Sequence, residues 1–250
     1  MTATEISKNI WTINESGYVD AYLLVGSKRA LLIDALYNED GLYNEIRKIT
    51  QLPTDVVITH GHGDHAGMSM KALHENGCTI YMDLQDMPYL QGMMGDAVKI
   101  EWFTDIANNM CFDLGGFKLE VIPVPGHTPG SVVLLERDKQ LLFTGDTIGS
   151  CNFWMQLPHS LNLSTFMHNL EKLWETVSQM EDLIIHPGHR NQAPDLGLQY
   201  VKDVKEITKQ LVSGEAEGTD GEMELLGMKI KYKSVSHGLV KDYLYNPQNI

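Results

Sequence analysis

The stretch that decides the fold is TDVVITHGHGDHAG, residues 54–67. Its first part, DVVIT, is apolar and β-branched, which fits a buried strand. The remainder cannot continue that strand, because glycines at alternate positions remove the side chains a sheet would pack and signal a loop. His60, His62, Asp64 and His65 therefore gather at the carboxyl end of a strand.

Outward from this point, strand and helix alternate. Strands are expected at AYLLVG (21–26), ALLID (30–34) and CTIYM (78–82), with helices over DGLYNEIRKI (40–49) and GMSMKALHEN (67–76). A second series follows. Strands are expected at FKLEVIPV (117–124), SVVLLER (131–137), QLLFTG (140–145) and DLIIH (182–186), with long amphipathic helices over 163–180 and 196–212. Such an order implies sheets covered by helices, an α/β architecture. The acidic, glycine-rich SGEAEGTDGE (213–222) reads as an exposed loop, and a hairpin at about 222–244 reads as a peripheral addition to a single domain spanning 1–250.

Composition narrows the classes. With 250 residues, 43% of them hydrophobic, the chain can bury a large core. A net charge of -14 with 19 Lys+Arg argues against nucleic acid and anionic membranes as partners. The N-terminal MTATEISKNIWTINE has no apolar signal core, and no stretch nears the roughly 20 apolar residues of a bilayer span, so the chain reads as cytoplasmic. Cys78, Cys111 and Cys151 are odd in number and widely spaced, which suits a reducing compartment and buried free thiols.

Three further segments resemble the first in layout. PGHTPGS supplies His127, TGDT supplies Asp146 and HPGH supplies His189, each in a turn after an apolar strand. Strand carboxyl ends in open α/β sheets face the ligand crevice, so four separate segments can converge there. In HGHGDH, the alternation of His60 and His62 lets two imidazoles reach one ion, Gly61 and Gly63 permit the required backbone, and Asp64 and His65 can turn toward a second ion. Imidazole and carboxylate donors without cysteine favour zinc and leave iron, manganese or cobalt open. His74, His159, His168, His186 and His237 are not so placed and read as ordinary surface or core residues. A weak internal repeat, LLID…DVVITHGH against LLFTGD…DLIIHPGH, again puts polar residues at strand ends.

The motif His-x-His-x-Asp-His, followed by a distant His, Asp and His, resembles the metallo-β-lactamase-fold hydrolase superfamily over roughly residues 18–190. That resemblance implies a four-layer αββα sandwich and two divalent metal ions. It implies His60, His62 and His127 on one ion, Asp64, His65 and His189 on the other, and Asp146 bridging them. Asp34, at the end of LLID, would then support the metal loop rather than ligate; its plain alternative is a strand-end cap.

Two metals point to hydrolysis. A bound water whose pKa falls from 15.7 toward about 7 becomes a hydroxide nucleophile, with Asp64 orienting it and shuttling its proton. Two insertions, 86–103 and 150–161, are rich in Met and aromatic residues, and Met93, Met94, Phe153, Trp154 and Met155 are candidates for a pocket that holds an apolar acyl part. The expected substrate is thus a small acyl thioester or lactone. Glyoxalase II enzymes resemble this core but add a helical C-terminal domain, whereas 61 residues follow His189 here. Zinc β-lactamases typically carry Cys where Asp146 stands, the tRNA-processing branch carries basic surfaces, and flavodiiron proteins usually carry Glu where His62 stands. Two alternatives come from other classes: an iron-dependent oxidoreductase of the persulfide dioxygenase type, and a regulatory ligand-binding protein with little turnover.

Overall fold

A computed structural model of the chain describes residues 1–37, 41–106, 110–149, 152–190, 196–225 and 227–250. The first half contains β1 (Thr2–Ser7), β2 (Ile10–Glu15), β3 (Val19–Val25), β4 (Ala30–Ile33), α1 (Leu42–Ile49), β5 (Thr54–Val57), α2 (Ser69–Glu75), β6 (Ile80–Met82), α3 (Met87–Met94) and β7 (Phe103–Asp105). The second half contains β8 (Cys111–Asp113), β9 (Lys118–Pro123), β10 (Val132–Glu136), β11 (Leu141–Gly145), β12 (Asn152–Met155), α4 (Leu163–Val177), β13 (Ile184–Pro187), α5 (Leu198–Ser213), β14 (Thr219–Leu225), β15 (Met228–His237) and β16 (Val240–Tyr245).

The alternation of side chains along each strand builds four layers. Strands β1 to β7 form one sheet in sequence order, and β13-β11-β10-β9-β8 form a second. On β3 and β4, Tyr22, Leu24, Leu31 and Ile33 point to a buried cluster shared with Val132, Leu134 and Phe143 of the second sheet. The intervening Ala21, Leu23, Ala30 and Leu32 pack with Leu42, Ile46, Met70 and Leu73 of α1 and α2. The far face of the second sheet, Val133, Leu135 and Leu142, packs with α4 and α5. Because the side-chain period of a strand is two, both sheets bury both faces, which gives the α/β/β/α order. The helix α4 shows why its sequence folds so: Leu163, Phe166, Met167, Leu170, Leu173 and Val177 recur at helical spacing and are buried, and the Asn162 side chain caps the start by accepting the Thr165 N–H at 2.8 Å.

Strand direction then gathers the loops. β4 and β5 are parallel, so Asp34 and the loop carrying His60 leave from the same edge. β9 and β11 both run antiparallel to β10, and β11 is parallel to β13, so the turns after β9, β11 and β13 also share an edge. Backbone bonds join the two edges: the Val132 N–H donates to the Thr59 carbonyl at 2.9 Å and the Asp20 N–H to the Gly188 carbonyl at 2.8 Å.

Several elements differ from the sequence expectation. The C-terminal hairpin is part of a four-stranded sheet, β12-β16-β15-β14, in which β12 comes from the second insertion and pairs in parallel with β16. β1, β2, β7, β8 and α3 were not expected at all; β1 is an edge strand with a mostly exposed, polar sequence and so lacks an apolar period. Of the thiols expected to be buried, Cys78 is, Cys111 is exposed, and Cys151 lies outside the described residues. Asp40, at the start of the first expected helix, also lies outside them. Among the described residues, no helix is long and apolar enough to cross a membrane.

Candidate metal centre

The seven polar residues expected at strand ends come together at the shared edge. Ligand atoms fall into three overlapping groups, His60/His62/His127, His60/His65/Asp146 and Asp64/His65/His189, each with its atoms within 4.8 Å of one another. All five rings are deeply placed; His60, His65, His127 and His189 are fully buried.

For four of the rings, hydrogen bonds at Nδ1 leave Nε2 as the nitrogen that faces inward. Thr59 donates its hydroxyl to Asp34 Oδ2 at 3.0 Å, so at 3.1 Å its oxygen takes the Nδ1 proton of His60. His127 Nδ1 donates to the Trp154 carbonyl at 2.7 Å, and His189 Nδ1 to the Tyr18 carbonyl at 2.8 Å. His65 Nδ1 meets Asp34 Oδ2 at 2.8 Å. Each of these rings therefore turns its Nε2 toward the centre.

Around His62 those nitrogens have too few protons to satisfy one another. Nε2 of His60 and Nε2 of His127 each lie 3.0 Å from Nδ1 of His62. One proton on that atom would serve one neighbour and not the other, whereas a cation serves all three nitrogens. On the other side, His65 Nε2 and Asp146 Oδ1 are buried without a hydrogen-bond partner. They lie 3.5 Å apart, and His189 Nε2 lies 3.3 Å from Asp146 Oδ2 and 3.4 Å from Asp64 Oδ2. So many acceptor atoms turned toward one another in a buried site are costly unless protons or metal cations lie between them. The donor set of imidazole and carboxylate thus fits divalent metal ions, zinc foremost. His60, His62 and His127 would hold one ion and Asp64, His65 and His189 a second. Asp146 approaches ligands of both groups, its Oδ2 being 4.0 Å from His127 Nε2.

The protonation of the metal-free site agrees with this division. Burial, reinforced by the neighbouring imidazoles, holds His60 and His62 well below the usual histidine range and keeps them neutral. Burial also opposes charge on His189, yet Asp146 and Asp64 outweigh it and push that ring up to about 12. For Asp64 burial would raise the carboxyl, but His65 and His189 hold it down at about 2. Metal uptake on this side therefore displaces protons.

Residues that no sequence pattern marked complete the site. Asp86, fully buried, accepts the Gly61 N–H at 2.8 Å, the Gly130 N–H at 2.7 Å and the Thr128 hydroxyl at 2.6 Å, so one carboxylate ties the His60 loop to the His127 turn. Gly61 has no left-handed backbone; it is glycine because a Cβ there would stand 2.7 Å from Asp86 Cβ. Asp34, singled out in the sequence, accepts the Thr59 N–H at 2.7 Å in addition to its bonds to the Thr59 and His65 side chains. His159, read from sequence as ordinary, places Nε2 2.7 Å from His62 Nε2 and leans its ring on Tyr89 at 4.2 Å.

The candidate pocket residues divide. Phe153 and Met155 are 1% and 0% exposed and belong to the core under α4 and α5, where Phe153 meets Phe166 and Tyr243; the alternation of β12 turns them inward, and they are corrected to core residues. Trp154, between them, is half-buried and contributes its carbonyl to His127. Met94 reaches the metal loop, its Sδ 3.4 Å from where a Cβ on Gly63 would stand, while Met93 on the same helix is exposed. The mouth also carries Tyr18, whose ring lies 4.6 Å from that of His189, and Tyr37 beside Gly63; they are 51% and 57% exposed.

Comparison with known proteins follows the same outline. The sequence model of the metallo-beta-lactamase superfamily matches residues 15–189. The chain is 34% identical over 145 residues to a hydroxyacylglutathione hydrolase of Anaeromyxobacter dehalogenans, a match covering 58% of this chain and only about half, 51%, of that protein. It is 28% identical over 215 residues to the acyl-coenzyme A thioesterase MBLAC2 of Gallus gallus, covering 71% of this chain and 74% of that one. The fold is similar to that of a metallo-beta-lactamase from Pontibacter korlensis, with a TM-score of 0.65 at 20% identity over 83% of this chain and 98% of the other.

Proposed function

The chain belongs to the metallo-beta-lactamase superfamily, and from that membership we propose that it is a dinuclear metal-dependent hydrolase of an ester-type acyl bond, a thioester or a lactone, with zinc as the resident ion. The observation that carries the proposal is the set of ligand atoms turned inward, four of them on rings whose Nδ1 is already committed to an acceptor. Two divalent ions held there would supply an acidified water and an electrophile for the acyl oxygen.

The remaining work falls to the chain's own groups. Asp64 is the most open of the two carboxylates, its side chain 29% exposed against 14% for Asp146, so it is the one placed to orient the attacking water and take its proton. Asp146, deeper and in reach of both ligand groups, holds them in register. Tyr18, Tyr37 and Met94 present an apolar rim that suits the acyl part of a small substrate. The names of the two relatives, a hydroxyacylglutathione hydrolase and an acyl-coenzyme A thioesterase, both denote thioester cleavage and support the thioester over the lactone.

The test is turnover of matched acyl thioesters, lactones, phosphodiesters and β-lactams by the zinc-loaded protein. Thioesters or lactones should be cleaved and chelation should abolish the activity. Efficient cleavage of phosphodiesters or β-lactams, with every thioester and lactone untouched, would overturn the substrate class. One iron per chain with oxygen uptake would overturn hydrolysis itself.

A further inference from the structure

We propose that His159 is a positioning residue for the first ligand triad: it accepts the Nε2 proton of His62 and so leaves Nδ1 of that ring as the lone pair offered to the ion. The inference rests on the two-ion reading above and deepens it.

Four of the five ligand imidazoles hand their Nδ1 proton to a fixed acceptor: the Thr59 hydroxyl, Asp34, the Trp154 carbonyl or the Tyr18 carbonyl. His62 is the exception in kind. Its Nδ1 faces Nε2 of His60 and of His127, and its Nε2 meets the Nε2 of His159 at 2.7 Å. A neutral imidazole has one proton for two nitrogens, and the hydrogen bond at one nitrogen decides which atom is free to ligate. With the proton held between His62 and His159, Nδ1 is bare on the side where His60 and His127 already present lone pairs.

The position of His159 is built, not incidental. Three residues of one short segment touch the triad: Trp154 through its carbonyl to His127 Nδ1, Ser160 through its hydroxyl to the His127 carbonyl at 3.0 Å, and His159 to His62. That segment leaves β12, which pairs with β16, and the Leu163 N–H beyond it donates to the Asn249 carbonyl at 2.7 Å. The ring is seated on Tyr89 of α3 at an interplanar angle of 36°. Strands β14 to β16, outside residues 15–189 that match the family, thus adjoin the first triad by way of β12 and the segment that carries His159.

The experiment compares wild type, His159→Phe and His159→Gln. The phenyl ring keeps the packing on Tyr89 and removes the acceptor; the amide oxygen restores an acceptor. Zinc affinity is read by competition with a chromophoric chelator, the ligand field by the visible spectrum of the cobalt(II)-loaded protein, and packing by thermal unfolding of the metal-free protein. His159→Phe should bind one of the two ions about 10–100-fold more weakly, with an altered cobalt spectrum and an unchanged metal-free melting temperature, and His159→Gln should recover most of that loss. Wild-type affinity and spectrum in His159→Phe would overturn the assignment, as would an affinity loss matched by a fall in metal-free melting temperature, or one that His159→Gln leaves unrepaired. If wild type itself takes up one ion only, the two-ion reading fails, and the inference is then decided by the ratio of His159→Phe to wild-type affinity for that ion.

Discussion

Asp34 Oδ2 lies 2.8 Å from His65 Nδ1, and the other oxygen of the same carboxylate takes the Thr59 N–H at 2.7 Å. Asp34 itself sits in the left-handed backbone region, φ 66°, which aspartate tolerates better than most residues. One buried carboxylate therefore sets both the ring of a ligand and the strand end that precedes another. Asp34→Asn keeps the volume and an acceptor for Thr59, but it replaces the charged acceptor of the His65 proton by a neutral amide. Zinc affinity should fall by about 10–100-fold. Chelator competition that returned the wild-type affinity would show that the bond does not orient His65.

Asp86 makes a stability prediction. Asp86→Ala would leave the Gly61 and Gly130 N–H groups and the Thr128 hydroxyl without this acceptor in a buried place. At about 1–3 kcal/mol for each stranded group, partly relieved by water entering the gap, the loss should be about 3 kcal/mol. For a chain of this size that is roughly 6–12 °C in melting temperature. Calorimetry of the metal-free protein checks it, and a shift of under about 2 °C would mean that the two loops hold together without Asp86.

The cluster of candidate ligands was legible because each member follows an apolar strand and stands among Gly or Pro: His60 to His65 after DVVIT, His127 in PGHTPGS, Asp146 in TGDT and His189 in HPGH. The layered fold was legible for the same reason, since buried strands and amphipathic helices carry their periods in sequence. Asp86 and His159 were not, because what defines them is distance in the fold: Asp86 meets partners 25 and 44 residues away, and His159 meets His62 across 97 residues. Phe153 and Met155 were misjudged because an apolar insertion reads alike whether it lines a cleft or fills a core. The alternation in NFWM, with Phe153 and Met155 buried and Trp154 between them, held the information, but only pairing with β16 turns it into a face.

His186 gives a pH dependence separate from the metal ligands. Its ring is 9% exposed, stacked on Phe143 at 4.8 Å, and burial, with Arg190 adding, holds it down at about 4. Unfolded, it titrates near 6.5, so below that pH the unfolded chain takes up a proton that the folded ring refuses until about 4. The sign follows: stability is full above about 6.5 and declines as pH falls toward 4, by about 3 kcal/mol at roughly 1.4 kcal/mol per unit. His186→Phe removes this loss. In chelator, where no metal is bound at any pH, the unfolding free energy of the variant relative to wild type should improve by about 3 kcal/mol between pH 7 and 4. A constant difference across that range would mean that the buried ring takes up its proton as readily as an unfolded one.

Asp146 and Asp64 should separate when metal is counted. Asp146 stands 3.5 Å from His65 Nε2, 3.3 Å from His189 Nε2 and 4.0 Å from His127 Nε2, so it serves both ligand groups, whereas Asp64 approaches only His65 and His189. Asp146→Ala removes a carboxylate from between two clusters of donors, and under the proposed two-ion reading it takes away negative charge that both ions would share. Both ions should bind more weakly, and activity should be lost with them. Asp64→Asn leaves His60, His62, His127 and Asp146 intact, so one ion should bind as in wild type while the second weakens. Under the role proposed for Asp64, its rate should fall further than its metal content, because an amide cannot accept the proton of an attacking water. Elemental analysis after equilibration at a fixed free zinc concentration, with turnover measured on the same samples, distinguishes the two. Retention of both ions in Asp146→Ala, or equal loss of both in Asp64→Asn, would reverse the roles assigned to these carboxylates.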